Sequence, residues 1–517
     1  MTAQQEIDVS TLIEQRPVTG FQWRTLLVCL AVLFMDGYDA QAIGYVAPAL
    51  VKAWHLDRAA LAPVFALGLV GMMLGGLFFG PLADRFGRKR FIVICTALFG
   101  VFSLLTALTE TPAQLMVLRL LTGLGLGGAM PNAVALAVEY FPKRRRASAV
   151  TMVFVGFTVG AAIGGFAIAG LLSIYGWPVV FVIGGIIPLI LVPLILLLLP
   201  ESLAFLILRQ RPQEEILRPL QQLAPDLEIT GKPHFIVREE TGRGVPVKHL
   251  FTQGRAMPTL LLWALFFLAL MITYILASWT PIAFNSAGVP VSIAVSATGM
   301  WQTGSIVGTL AVGQLMDRFE PFRVLAIGFV VSACAVLLMT QVDGAMSATL
   351  IMGIMLFCGI CTGIGGLQGV NALAGWYYPT FIRTTGLGWA IGMGRLGSIA
   401  GTLLGGLILS LKWQPRTIFF AVTIAQMLGA IVVLAMRSFE LRRLQTESRL
   451  VSGAGVMIRA GRRATNASGH DAVHDALHDM RPAPLDLVRR REVGADDGGH
   501  RIKIGEIEQA HRKNIEK

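Results

Sequence analysis

The sequence predicts an all-α membrane protein of twelve transmembrane helices, arranged as two pseudo-symmetric six-helix bundles. Three observations predict it: sparse charge, twelve long apolar segments, and a repeat relating the first six segments to the last six. Of 517 residues, 54% are hydrophobic and 14% charged, with a mean hydropathy of +0.66. A soluble domain carries about 25% charged residues, so most of this surface must face hydrocarbon.

The apolar segments run at approximately 24–50, 61–82, 90–109, 114–139, 147–173 and 178–199, and then at 257–284, 293–315, 322–341, 347–376, 384–410 and 416–437. Each is close to or above the ~20 residues that a helix needs to cross a bilayer. The chain divides into an N-terminal segment 1–23, a first bundle 24–200, a polar central loop 201–256, a second bundle 257–437 and a charged tail 438–517. The tail lacks an apolar period long enough for a core and reads as disordered. Within it, His470, His474 and His478 share one helical face, which reads as a solvated helix or coil rather than a metal site. Asn466-Ala467-Ser468 fits a glycosylation sequon that a cytoplasmic tail cannot use. The N-terminus is polar, with Glu6, Asp8 and Glu14 ahead of the first span, and shows no cleavable signal peptide.

Short-loop charge sets the expected orientation. Arg85, Arg88, Lys89, Arg90, Lys143, Arg144, Arg145, Arg146, Arg318, Arg323 and Arg383 all fall on one side, against Lys52, Arg58, Lys412 and Arg416 on the other. By the positive-inside rule both termini are cytoplasmic. The net charge of +12 is thereby explained by topology, and no nucleic-acid partner is called for. The cysteines Cys29, Cys95, Cys334, Cys358 and Cys361 lie inside apolar runs, so a disulfide framework is not expected, and the Cys358/Cys361 spacing reads as small-residue helix packing.

The repeat is legible at the basic loops. GPLADRFGRKRF after span 2 aligns with GQLMDRFEPFRV after span 8, and YFPKRRRASA after span 4 aligns with YYPTFIRTTG after span 10. Parallel halves of this kind mark a transporter with a site near the bilayer midplane. In the first loop an acid stands beside a cluster of bases. Asp84 is expected to accept from backbone N–H groups of a neighbouring helix and from an Arg, latching one state of the bundle. Arg85, Arg88, Glu139, Asp317, Arg318 and Arg383 join it as gating candidates; the alternative reading is a positive-inside turn with no mechanical role.

Buried charge points to the site. Span 1 contains Asp36-Gly37-Tyr38-Asp39, and an Asp at the centre of a span costs about 2.5–3.5 kcal/mol on insertion scales. At i and i+3 the two acids share a helix face. At ~1.5 Å rise per residue, Asp36 falls near the midplane and Asp39 roughly 8 Å below the outer surface. Arg119 in span 4 falls at about the depth of Asp39, and Arg395 in span 11 near the midplane. A permanent cation can hold an organic anion bidentately, while an Asp can gain and lose a proton as its surroundings alternate. The competing reading is an interhelical ion pair that only fixes packing. Tyr274, Gln302, Gln368 and Asn371 are further ligand candidates, equally explained by interhelical hydrogen bonds. Trp279, Trp301 and Trp389 are expected at lipid-facing or belt positions. Glycines at four-residue spacing in spans 2, 5 and 11 are expected to let helices approach closely, and Pro131 to bend span 4.

Together these features resemble the major facilitator superfamily across residues 20–437 and, within it, the aromatic acid:proton symporters of bacteria that carry 4-hydroxybenzoate or protocatechuate. The resemblance rests on GPLADRFGRKR, QWR at 22–24, DGYD at 36–39, VAPAL at 46–50, LRLLTGLGLGGAMPN at 118–132, PES at 200–202, SW at 278–279, MDRFEP at 316–321 and GMGRLGSIAG at 392–401. It implies the major facilitator fold, a bacterial inner membrane, a monomer, no cofactor beyond the proton gradient, and an organic anion and protons as cargo. It also implies transport roles for Asp36, Asp39, Arg119 and Arg395, and gating roles for Asp84, Arg85 and Asp317. The tail after Arg437, and Thr402 where a proline is expected, depart from the family pattern. A proton-driven exporter is the alternative, disfavoured because GFTVGAAIGG in span 5 has Ala161 where exporters carry a proline. A non-transporting sensor is a further one. No nucleophile–base set or nucleotide loop suggests an enzyme.

Overall fold

A computed structural model describes residues 6–225, 234–236, 247–252, 255–378 and 380–465. Residues Met1–Arg443 form one compact unit, with Leu444–Lys517 as a second. Of the second, the described part is the end of the last helix. The three tail histidines and the sequon lie outside the described residues.

The first half contains a short strand β1 (Glu6–Asp8), a short helix α1 (Val9–Gln15), and six long helices: α2 (Gly20–Ala53), α3 (Ala62–Phe86), α4 (Arg88–Thr106), α5 (Pro112–Glu139), α6 (Lys143–Tyr175) and α7 (Pro178–Leu198). The central segment carries α8 (Leu203–Leu208), α9 (Gln213–Leu223) and β2 (His234–Ile236). The second half follows as α10 (Ala256–Ser286), α11 (Val291–Arg318), α12 (Pro321–Met339), α13 (Ala348–Ile364), α14 (Leu367–Tyr377), α15 (Thr380–Ser410) and α16 (Thr417–Thr465). Eleven helical stretches among the described residues are long and apolar enough to cross a membrane, α13 and α14 counting as one. The twelfth expected span is α11, a 28-residue helix whose Ser, Thr, Gly and Gln residues keep it less apolar than the rest.

Local signals place the helix starts. Thr111 and Gln114 exchange backbone and side-chain hydrogen bonds around the first turn of α5, with Pro112 at its first position. Gln22 accepts the Thr19 N–H at 2.6 Å and donates to the Tyr140 carbonyl, joining the first turn of α2 to the end of α5. The tenth span is broken: α13 stops at Ile364 and α14 starts at Leu367. Between them Gly365 lies so close to the Gly328 carbonyl of α12 that a Cβ there would overlap it. The last span was expected to end at 437, but α16 continues to Thr465. The stretch beyond 437 is rich in Arg, with Leu and Ala between, and free of Pro, so helical bonding outlasts the apolar run.

Glycines set the packing. A Cβ on Gly37 would strike the Phe157 carbonyl, and one on Gly160 would strike that of Phe34, so α2 and α6 meet backbone to backbone. In the second half Gly397 of α15 meets the Phe267 carbonyl of α10 in the same way. The pairs α3–α5 and α11–α13 repeat the device, with Gly123 against the Gly68 carbonyl and Gly359 against that of Trp301. Corresponding helices of the two halves therefore pair alike. The halves meet along α2–α10, α3–α15 and α6–α11. Gly44 packs on Ala277 and Gly165 on Gly299, and Phe65 stacks edge-on against Trp279 at 5.2 Å. All of these contacts lie toward the end away from the basic loops.

At the basic end, Arg88 bridges Asp84 (3.4 Å) and Glu139 (3.2 Å). Glu139 also accepts from the Ser202 hydroxyl and the Ala204 N–H, and Glu201 accepts the N–H groups of Lys89 and Ser202. Sequence reasoning assigned the capping of a neighbouring helix to Asp84. Here Glu201 and Glu139 cap the starts of α4 and α8, while Asp84 is 68% exposed. Arg85 lies over the Phe86 ring, and Asp317 and Arg318 are exposed. In the second half Glu320 forms the network instead, pairing with Arg323 at 2.7 Å and with Arg437. The Arg383 side chain lies outside the described residues.

Two predictions follow from this packing. Gly160→Val should cost about 3 kcal/mol or more by forcing α6 off α2, and Gly353→Ala, which faces open space, should be neutral or stabilising; thermal unfolding in detergent measures both. Glu139→Ala should cost about 2 kcal/mol, since it takes the closer carboxylate from Arg88 and leaves a helix-start N–H unpaired, whereas the exposed i,i+4 partner change Asp84→Ala should cost under about 0.5 kcal/mol.

Candidate functional site

The four intramembrane charges separate into two pairs. Asp39, on α2, is fully buried and accepts two hydrogen bonds: from Ser103 Oγ of α4 at 2.5 Å and from Arg119 Nη1 of α5 at 3.2 Å. Arg119 is itself buried, donating through Nη2 to Thr106 Oγ1 (2.9 Å) and Thr122 Oγ1 (3.2 Å). Its guanidinium lies 4.7 Å from the centroid of the Phe181 ring on α7, a contact worth up to about 2 kcal/mol when desolvated. Four helices of the first half thus converge on one ion pair. Of these partners, Ser103, Thr106, Thr122 and Phe181 escaped the sequence reading. Single hydroxyls and an aromatic ring inside apolar runs carry no spacing signal.

Asp36 is different. It is completely buried, and neither carboxylate oxygen has a hydrogen-bond partner among the described residues. Its charged neighbours are Arg395, from the other half, and Asp39. Arg395 is half-buried on α15 and donates from Nη1 to the Tyr274 hydroxyl of α10 at 3.3 Å. No other partner of its guanidinium is seen among the described residues. A planar fork of five donors with one neutral acceptor retains the capacity to take a carboxylate bidentately.

Tyr274 links the two pairs. It is buried, and with Asp39, Arg119, Thr122 and Ser278 it lines a narrow cavity between the halves of about 40 Å3. In this conformation it has room for water and is smaller than an aromatic-acid site. The rest of the wall is apolar and includes Phe65, Leu69 and Met72. The remaining candidates stand apart from this cavity. Gln302 is buried on α11, and Gln368 and Asn371 are half-buried on α14, where they approach each other at 3.5 Å. The tryptophans correct the belt expectation. Trp279 is fully buried and donates to the Thr402 carbonyl, and Trp301 is buried and donates to Thr362. Of these three candidates, Trp389 alone is exposed, stacked on Trp263. The indole N–H of each buried ring found an acceptor on a neighbouring helix, which removes the cost of leaving the interface. All five cysteines are free, and among the described residues no group of acids, histidines and cysteines could hold a metal ion.

Comparison with known proteins agrees with this architecture. The family model of the Major Facilitator Superfamily matches residues 29–375. The chain is 38% identical to a gallate transporter of Pseudomonas putida, over 84% of this chain and 96% of that one. It is 37% identical to a 4-hydroxybenzoate transporter of Pseudomonas aeruginosa, again over 84% and 96%, and 35% identical to a 3-(3-hydroxy-phenyl)propionate transporter of Escherichia coli, over 75% and 87%. Among solved structures, the crystal structure of the nucleoside transporter NupG shares the fold with a TM-score of 0.62 at 14% identity, covering 81% of this chain and all of that one. Two pseudo-symmetric bundles, a charged cavity between them and these relatives lead to one assignment: the chain belongs to the Major Facilitator Superfamily and is a transporter, not an enzyme.

Proposed function

We propose that the protein takes up aromatic carboxylates of the hydroxybenzoate class, 4-hydroxybenzoate, protocatechuate and gallate among them, by proton symport across the bacterial cytoplasmic membrane. The basic end faces the cytoplasm, with both termini on that side, and the halves alternate about the cavity as a monomer. The observation that carries this reading is Asp36 of one half, without a hydrogen-bond partner among the described residues, near Arg395 of the other, which has one there. The identity to transporters named for gallate and 4-hydroxybenzoate supports the substrate class.

One cation then serves two anions in turn. With Asp36 protonated, Arg395 is free to bind the substrate carboxylate, while the ring packs on the apolar wall. When Asp36 releases its proton toward the cytoplasm, its carboxylate competes for Arg395 and displaces the substrate. An ionised Asp without a partner is costly inside the membrane, so proton and substrate travel together. The inter-half contacts at the end away from the basic loops fit a conformation open toward the cytoplasm. Gln302, Gln368 and Asn371 belong to walls exposed at other stages of the cycle.

The test is uptake of labelled 4-hydroxybenzoate and gallate by cells expressing the protein under an imposed pH gradient. Accumulation should collapse with an uncoupler, and accumulation that ignores the uncoupler would rule out symport. Asp36→Asn should exchange substrate across the membrane yet fail to concentrate it. Arg395→Lys, which keeps the charge but loses the fork, should raise KM roughly tenfold; an unchanged KM would remove Arg395 from the substrate site.

A further inference from the structure

We propose that Ser103 is a positioning residue for transport: it holds the Asp39–Arg119 pair together so that Arg119 competes neither for Asp36 nor for the substrate. The inference rests on the uptake reading above and names the device that keeps its two charge pairs apart.

The geometry carries the argument. Asp36 and Asp39 lie one helical turn apart on the same face of α2, and Arg119 borders the cavity through which a substrate carboxylate would pass. A cation in that place has three candidate anions: Asp39, Asp36 and the substrate. Its choice is settled by how well each is organised. The Asp39 carboxylate is oriented by the short Ser103 hydrogen bond on Oδ1, which turns Oδ2 toward Arg119. Ser103 is completely buried. On the other side Thr106, Thr122 and Phe181 hold the guanidinium. Gly184 of α7 leaves the space: a Cβ there would sit 3.0 Å from Ser103 Oγ and 3.1 Å from Asp39 Oδ1. Removing one partner of a buried, charged hydrogen-bond network exposes the full desolvation cost of the group left behind. Without Ser103, Asp39 keeps only Arg119 as a donor among the described residues, and the orientation that commits Arg119 to it is lost. Arg119 then becomes a rival of Arg395.

The experiment is a double-mutant cycle of Ser103→Ala and Asp39→Asn, read in two ways. The first reading is initial uptake of labelled 4-hydroxybenzoate, normalised to the amount of protein in the membrane. The second is the thermal unfolding midpoint of the full chain purified in detergent, which requires no substrate. Ser103→Ala should lower maximal uptake roughly tenfold or more and shift KM as well, because the released Arg119 competes with Arg395 for the carboxylate. In the Asp39→Asn background the same change should have little further effect on uptake or midpoint, since the hydroxyl acts through that carboxylate. Independent, multiplicative losses would overturn the proposal and make Ser103 a packing residue, as would wild-type behaviour of Ser103→Ala in both readings. Ser103→Cys with Asp39→Glu forms a second, milder cycle, read the same way should a stronger variant fail to fold. If the wild-type chain takes up no aromatic acid, the uptake reading falls, while the unfolding cycle still decides whether Ser103 acts through Asp39.

Discussion

Within hydrocarbon there is no water to drive helices together, so a helical transporter must be held by contact, and here the contact is made where glycine lets one backbone touch another. Gly37 and Gly160 bring α2 onto α6, and Gly397 brings α15 onto α10. This close approach has a consequence for chemistry. The acids of α2 flank Gly37, so one of these closely packed helix pairs also carries both acids. A bulkier residue at any of these positions would separate the helices and let the buried charges lose their partners.

The same absence of water makes each intramembrane charge a problem with few solutions. Asp39 and Arg119 are solved locally, by hydroxyls and an aromatic face from four helices of one half. Asp36 is left unsolved among the described residues, and the cation whose charge acts on it, Arg395, is in the other half. A charge completed within one bundle moves with that bundle as a rigid part of it. A charge whose partner lies across the interface feels the relative position of the two bundles. Coupling of a proton to a conformational cycle needs the second kind, and a stable bundle needs the first.

The two halves share helix pairing but not chemistry. Arg88 and Glu139 organise the basic end of the first half with help from Glu201, whereas in the second half Glu320 ties α12 to Arg437 of α16. Asp84 and Asp317, which match each other in the repeat, are both exposed in this conformation. The parts that the repeat makes identical are therefore the scaffold, and the intramembrane charges Asp36, Asp39, Arg119 and Arg395 stand where the repeat is broken.

The sequence by itself determined the membrane class, the twelve apolar spans and the repeat that relates the first six to the last six, because apolar length and internal similarity are properties of the chain alone. It also singled out the four charges, since an ionisable residue inside an apolar run is conspicuous without any fold. What it left open was which charge faces which. Two acids three residues apart look equivalent on a helical wheel, yet Asp39 meets Ser103 and Arg119 while Asp36 faces Arg395. Nor could it find Ser103, Glu201 or the buried places of Trp279 and Trp301. A hydroxyl, a loop carboxylate and an indole acquire their roles only from neighbours that are distant in sequence. Partner choice in a dry interior depends on distances of a few ångströms between helices, and those distances were decided by tertiary packing.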